Sequence, residues 1–338
     1  MNISENFSLR KFNTFGIDVR ARYFLEFHSS DELIQIHAEE KFKNVPLLII
    51  GGGSNLLFIQ DFNGLVLRNR ISGIEVLKED SDFVFIRSGA GVVWHDLVTH
   101  CTQNNLGGIE NLSLIPGSVG AAPMQNIGAY GVELKEVFDS LEAFEISSGK
   151  IVRFTKEQCK FGYRESVFKN VFKNAFIILN VTLRLSKNHM LNTSYGAIGE
   201  ELKKMGVDHP TIKNVSEAVC NIRRSKLPDP SVTGNAGSFF KNPEIAEKFY
   251  LELKEKFPAL VAYPAERGKM KLAAGWMIER CGWKGKVFGN AGVHEKQALV
   301  LINMGNAAGQ EIFNLSVQIK NSVFEKFGVQ LETEVNII

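Results

Sequence analysis

Between Gly107 and Gly131 the chain reads GGIENLSLIPGSVGAAPMQNIGAYG, with six glycines, two prolines and no helical or strand period. A compact domain seldom carries so much irregular backbone unless the segment is a linker or holds a ligand. Ile109, Leu112, Ile115, Met124 and Tyr130 are interspersed through it, more apolar side chains than a solvated linker carries. The stretch therefore reads as a packed loop that wraps a cofactor, and the rest of the chain must supply its scaffold.

A second glycine cluster, Gly51-Gly52-Gly53-Ser54-Asn55, follows directly on the strand-like run Pro46-Leu-Leu-Ile-Ile. The spacing G-x-G-x-x-G is absent, and Leu56-Leu-Phe-Ile continues as extended chain rather than helix, which excludes a Rossmann fingerprint. Consecutive small residues still let backbone N–H groups converge on a pyrophosphate without side chains in the way. A plain turn is the competing reading.

A chain of 338 residues can bury two or three cores. With 39 basic and 37 acidic residues interspersed, the net charge is only +2, so nucleic acid and anionic membranes are not suggested as partners. Cys101, Cys159, Cys220 and Cys281 are far apart, with no metal-ligand or redox spacing. Free buried thiols and no metal are expected. The N-terminal segment lacks a signal-peptide run and no window of about 18 apolar residues occurs, so a soluble, cytoplasmic protein is expected.

The elements read as mixed α+β. Asp31 to His37 reads as a helix, Gly73 to Leu77 and Asp82 to Arg87 as strands joined by a polar turn, and Val92 to Val98 as the opening of a helix. Strands resume at Leu141 to Ile146 and Ala175 to Leu185, with a short helix between them announced by the capping-box pair Thr155 and Gln158. An amphipathic helix is expected from about Asn214 to just before Pro228-Asp-Pro, which marks a domain boundary. Beyond it come the loop Gly234 to Pro243, a helix from Lys271 to Cys281, a strand from Ala298 to Asn303 and a long helix from Gly309 to Phe327 closed by Gly328. Residues 329–338 alternate strictly and predict a half-buried strand, with Glu332 and Glu334 on its polar face.

GGGSNLL, IPGSVGAAPMQNIGAYGVEL, FGYRES, RRSKLPDP, NAGSFFKNP, KLAAGW and LETEV occur in this order. Together they closely resemble the MurB family of UDP-N-acetylenolpyruvoylglucosamine reductases, from about Phe12 to the C-terminus. The resemblance implies a two-subdomain, PCMH-type (vanillyl-alcohol-oxidase-like) FAD-binding region followed by a C-terminal α+β substrate-binding domain. The expected divisions are 1–72 and 73–227 for the two FAD-binding subdomains, with the PCMH-type region at about 17–188. The substrate domain is expected at 228–338, its last strand packing back on the FAD region. Tyr195-Gly196 looks like the extra tyrosine loop of the type I, enterobacterial-type branch.

The implied reaction uses NADPH to reduce non-covalently held FAD, which then reduces UDP-N-acetyl-enolpyruvoylglucosamine to UDP-N-acetylmuramate in a monomeric enzyme. Ser238 matches the family's proton donor, Arg164 its catalytic arginine and Glu334 its catalytic glutamate, chosen over Glu332 because the family pattern is Glu followed by Val. FAD contacts are expected at Gly51, Gly52, Gly53, Ser54, Asn55, Pro116, Gly117, Gly120, Ala121, Gln125, Asn126, Gly128, Ala129 and Tyr130. Substrate contacts are expected at Tyr163, Tyr195, Lys226, Asn242 and Lys271, with His294 as support for the pocket. By local sequence alone Ser238 is a turn or cap hydroxyl, Arg164 an ion-pair partner for Glu165, and the tyrosines core residues. A flavin oxidase of the same fold, or a nucleotide-sugar binding protein without redox activity, are the alternatives.

Overall fold

A computed structural model describes residues 3–338 and, at Arg267, the backbone alone. The chain divides into two compact units. The first takes the described residues up to Phe7, then Ala21–Gly52 and Asn63–Ser225; the second takes Ser8–Arg20, Gly53–Phe62 and Lys226–Ile338.

In the first unit, strands Ser4–Ser8, Arg20–Phe27, Phe62–Asn69 and Leu47–Ile50 form a sheet in that spatial order. Helix α1 (Ser30–Ala38) buries Leu33 and Ile36 in the same apolar cluster as Leu25, Phe27, Leu65 and Leu67 from this sheet. A five-stranded antiparallel sheet runs Lys150–Thr155, Phe138–Glu145, Phe176–Ser186, Phe83–Gly89, Ile74–Glu79. Its central strand Phe176–Ser186 shows near-continuous burial that gives way to alternation from Arg184, and two ladders leave it no solvent edge.

Helix α2 (Trp94–Gln103) buries Trp94, Leu97, Val98 and Cys101 in the largest apolar cluster of the unit. The short helix α3 (Lys156–Cys159) has the predicted capping box, the Thr155 amide donating to Gln158 Oε1 at 2.8 Å. Helices α4 (Gly196–Lys204) and α5 (Ile212–Lys226) pack through Ile198, Leu202, Val215, Ala218, Val219 and Ile222. Helix α5 starts two residues before Asn214. Thr211 stands before its first turn, and its amide and hydroxyl both donate to Asn214 Oδ1 at 3.0 and 2.7 Å. Asn214 thus lies inside the first turn rather than before it.

In the second unit, strands Gly234–Ser238, Val300–Asn303, Ala291–Val293 and Val287–Phe288 form one sheet and Glu244–Ala246, Lys269–Leu272 and Ala262–Pro264 another. Helix α6 (Glu247–Lys256) follows the first strand of the three-stranded sheet. Helix α7 spans Ala274–Arg280, so the expected start at Lys271 is wrong: Lys271 is the centre of a strand paired on both sides, with Glu244 and with Tyr263. Helix α8 (Gly309–Phe327) matches its predicted bounds. Ile312, Leu315, Ile319, Val323 and Phe327 form its buried stripe, and Gly328 closes it at φ 67°.

The predicted terminal strand 329–338 is a correction of another kind. Only Asn336–Ile337 is a strand, paired in parallel with Leu56–Leu57, and Thr333 adds a single bridge to Phe240. The alternation survives as burial: Val329, Leu331 and Val335 are buried while Gln330, Glu332 and Asn336 are exposed. Glu334 breaks the pattern. It should face water, yet it is half-buried.

Candidate active site

The glycine cluster of the first unit sits against the long glycine-rich loop, backbone to backbone. A Cβ on Gly51 would fall 2.0 Å from Ser118 Oγ, and one on Gly52 would fall 3.3 Å from Gly117 Cα. Gly117 has φ 117°, a conformation that L side chains avoid. Gly120 rests on Ala90, where a Cβ would come within 2.6 Å of the alanine methyl. The loop is hydrogen-bonded to the segment that leads into α2: Trp94 N donates to Gly117 O at 3.0 Å, Val119 N to Val92 O at 2.9 Å and Gly120 N to Ala90 O at 2.9 Å. Two peptide turns bare of side chains, fixed by backbone bonds, are the cradle that a pyrophosphate-bearing cofactor needs, so these residues fit FAD.

The remainder of the loop is sewn to the segment that carries Arg164. Ser166 Oγ donates to Met124 O at 2.7 Å, Asn126 Nδ2 to Gly162 O at 2.9 Å, and Arg164 Nη2 to Gly128 O at 2.6 Å. A Cβ on Gly128 would come within 2.9 Å of Arg164 Nη1, so the guanidinium runs where a side chain would otherwise stand. Asn126 is fully buried. Its amide also donates to Glu133, and its Oδ1 accepts from Lys135 N at 2.9 Å, so this side chain holds the loop together. Leu114, Asn126, Tyr130 and Arg164 all have positive φ, at 56°, 46°, 49° and 55°. Such strain in non-glycine residues clusters where function over-determines the backbone.

Tyr130 and Tyr195 meet edge to face, with centroids 5.3 Å apart. Asn111 Nδ2 bridges Tyr130 O and Asn192 O at 3.0 and 2.9 Å, while its buried Oδ1 has no hydrogen-bond partner among the described residues. Arg223, on α5, was missed at the level of sequence. Burial lowers its guanidinium pKa against the opposing effect of the neighbouring Tyr130 hydroxyl, whose own pKa burial pushes up. The Arg164 charge also lowers the Arg223 pKa. Tyr163 stacks beside Arg164, the guanidinium carbon lying 5.5 Å from its ring centroid.

In the second unit Ser238 ends the strand Gly234–Ser238 just after a bulge against Val300–Asn303. Gly237 takes φ 68° in that bulge, which re-aims the following side chain, and Phe239 and Phe240 anchor the turn in the core. Phe239 N donates to Leu299 O at 2.8 Å, and Phe239 O accepts from Glu334 N at 2.8 Å. Glu334 O in turn accepts from Asn55 Nδ2 at 3.2 Å. The turn after Ser238 is therefore linked to Asn55 through the Glu334 peptide and the Asn55 side-chain amide. Glu332 is 73% exposed in its side chain and pairs with Lys241 at 3.2 Å. Asn242 Oδ1 accepts from Ala274 N at 3.0 Å and so fixes the start of α7. Lys271 lies 3.5 Å from Glu244, and Lys226 ends α5 exposed to solvent. His294 has a buried Nδ1 with no hydrogen-bond partner among the described residues, and burial lowers its pKa. Ser54, Pro116, Gln125, Ala121 and Ala129 lie in the two glycine-rich segments.

Fold and cradle together define a flavoprotein: residues 21–155 match the family described as FAD binding domain. Residues 229–338 match the family described as UDP-N-acetylenolpyruvoylglucosamine reductase, C-terminal domain. A UDP-N-acetylenolpyruvoylglucosamine reductase of Flavobacterium johnsoniae is 51% identical with complete coverage of both chains. Those of Amoebophilus asiaticus and Pseudomonas syringae pv. syringae are 50% and 49% identical, covering all of this chain and 100% and 99% of theirs. The chain belongs to the UDP-N-acetylenolpyruvoylglucosamine reductase family. Among solved structures, the Thermus caldophilus enzyme of that name aligns with TM-score 0.70 at 22% identity over 100% of this chain and 99% of its own. The 6-hydroxy-D-nicotine oxidase of Arthrobacter nicotinovorans aligns with TM-score 0.52 at 11% identity over 97% of this chain and 86% of its own, a likeness of fold.

Proposed function

We propose that the chain reduces UDP-N-acetylenolpyruvoylglucosamine to UDP-N-acetylmuramate for peptidoglycan synthesis, and that Ser238 delivers the proton. Full-length identity of about half to reductases of that name supports the reaction. The observation that supports the proton assignment is the bond from Glu334 N to Phe239 O, which joins the backbone of the half-buried Glu334 to the turn that follows Ser238.

When bound, FAD would supply hydride chemistry for the enolpyruvyl double bond, with NADPH as its reductant. The side chains do the rest. Arg164 takes the substrate carboxylate in its fork and holds the negative charge that grows as the enolate forms. Ser238 gives its hydroxyl proton to the carbon next to that carboxylate, and Glu334 hydrogen-bonds the enol form. Lys226 and Lys271 face the diphosphate as compact charges, with Asn242, Tyr163 and Tyr195 beside them. Tyr195, immediately before α4, closes over the uridine diphosphate, which would place the chain in the type I branch. The enzyme acts as a cytoplasmic monomer in this reading.

Mixing the purified protein with NADPH should bleach the flavin absorbance near its visible maximum. The colour should return promptly only when the enolpyruvyl nucleotide sugar is added. Recovery at the same rate with oxygen alone would overturn the reading.

A further inference from the structure

The turn before Pro116-Gly117 is gripped from two helices, and one of the grips depends on a histidine. Trp94 Nε1 donates to Leu112 O at 2.9 Å, Leu114 N donates to His95 Nδ1 at 3.0 Å, and Trp94 N donates to Gly117 O at 3.0 Å. Two consecutive residues in the first turn of α2 thus hold the loop at three points. From α5, Arg223 Nε donates to Leu114 O at 3.1 Å, and Ser216 Oγ lies 2.7 Å from Ser113 Oγ. Leu114 has φ 56°, a conformation that costs leucine energy, and both its N–H and its C=O are taken by these side chains.

Because a backbone N–H can only donate, His95 Nδ1 must be an acceptor, and the ring proton belongs on Nε2, which faces Cys220 Sγ at 3.9 Å. We propose that His95 is a positioning residue: its unprotonated Nδ1 holds Leu114 left-handed and so sets the Pro116–Gly117 turn on which FAD rests. The proposal builds on the assignment of that turn to FAD.

Protonation would set a second N–H against that of Leu114 and open the clamp. The groups around the imidazole are Asp96 on its own helix and Cys220, Arg223 and Arg224 on α5, while loop residues 112–118 contribute no titratable side chain. Burial is the main cause that lowers the His95 pKa, the two arginines add to it, and Asp96 opposes. The folded state therefore binds this proton less readily than the unfolded chain. The clamp is intact at neutral pH, and its contribution is lost as pH falls below the ordinary imidazole range, through the lowered pKa of the folded ring.

Two variants test this, His95→Asn, whose Oδ1 can accept in place of Nδ1 but does not titrate, and His95→Phe, which cannot accept. Hydrogen exchange of the Leu114 amide and release of FAD from the diluted holoprotein, read as free flavin fluorescence, are followed from about pH 7 to about pH 5, across histidine titration. We expect FAD release from the parent to speed up by roughly 3- to 10-fold on acidification, the effect of one lost hydrogen bond. His95→Asn should stay near the neutral-pH parent throughout and also corrects for the intrinsic pH dependence of exchange. His95→Phe should release fast at every pH. Identical pH profiles for the parent and His95→Asn would refute the clamp, even if His95→Phe fails to fold. Leu114 protection that follows His95 while FAD release does not would instead refute the assignment of this turn to FAD.

Discussion

The amide of Glu334 donates to the carbonyl of Phe239 at 2.8 Å, one residue after Ser238, while Glu332, two residues away, is 73% exposed in its side chain and pairs with Lys241 at 3.2 Å. Two neighbouring carboxylates thus have different work. Ser238→Ala should leave reduction of the flavin by NADPH unchanged and slow its reoxidation by substrate by roughly 10² to 10⁴, the range for a lost general acid. Glu334→Gln should slow the same half-reaction. Glu332→Gln should change it less than about fivefold, because an ion pair with one exposed partner contributes about 1 kcal/mol. Stopped-flow flavin absorbance separates the half-reactions, and equal effects of the two glutamine variants would remove Glu334 from the mechanism.

Gly128 tests whether Arg164 needs its present path. A Cβ there would stand 2.9 Å from Nη1, and the same guanidinium donates to Gly128 O at 2.6 Å, so Gly128→Ala cannot keep both. The variant should lose turnover by roughly 10-fold or more, because a displacement of about an ångström at a charge-stabilising group is costly. If kcat/KM is unaffected, the position of Arg164 seen here is not the working one.

How much of this was legible beforehand differs by element. Helix α8 could be bounded to the residue because its apolar stripe, from Ile312 to Phe327, and its closing Gly328 are local signals. The loop from Gly107 to Gly131 was legible as a ligand loop from composition. Its working parts were not: leucine and tyrosine carry no signature of left-handed backbone, and Leu114 and Tyr130 adopt it because distant partners, His95, Arg223 and Asn111, bond their peptides. His95 reads in sequence only as a residue at the opening of a helix. Lys271 was assigned to a helix because the strands that flank it on both sides come from separate stretches of chain. The half-burial of Glu334 runs against its own alternation, and the family pattern, rather than periodicity, singled it out.

Thiol chemistry offers an independent check on the packing. Burial pushes the pKa values of Cys101 and Cys159 up to about 12, and it raises that of Cys220. Cys281 alone of the four is not fully buried. A thiolate-selective reagent at about pH 8 should therefore modify Cys281 first, since the thiolate is the reacting form. The other three should react only after denaturation, and peptide mass mapping would identify the order. Rapid labelling of Cys101, at the heart of the α2 cluster, would show that this core opens.

Gly309, the first residue of α8, has the tightest backbone approach among the glycines. A Cβ there would fall 1.7 Å from Phe58 O and 2.7 Å from Phe58 C, and Phe58 is itself fully buried. Neither side can yield by rotating a side chain, so Gly309→Ala must shift the helix or the segment Gly53–Phe62. Overpacking of this kind costs about 1–3 kcal/mol or more, which for a chain of this size lowers Tm by roughly 1–4 °C. Gly199, inside α4, provides the control: a Cβ there meets nothing within 4 Å, and its φ is not positive. Gly199→Ala should raise stability by up to about 1 kcal/mol through helix propensity alone. Because Asn55 lies on the displaced segment and holds Glu334 O, Gly309→Ala should also slow flavin reoxidation by substrate at temperatures where the protein remains folded. Thermal unfolding of the two variants with matched flavin content checks the first effect, and stopped-flow absorbance checks the second.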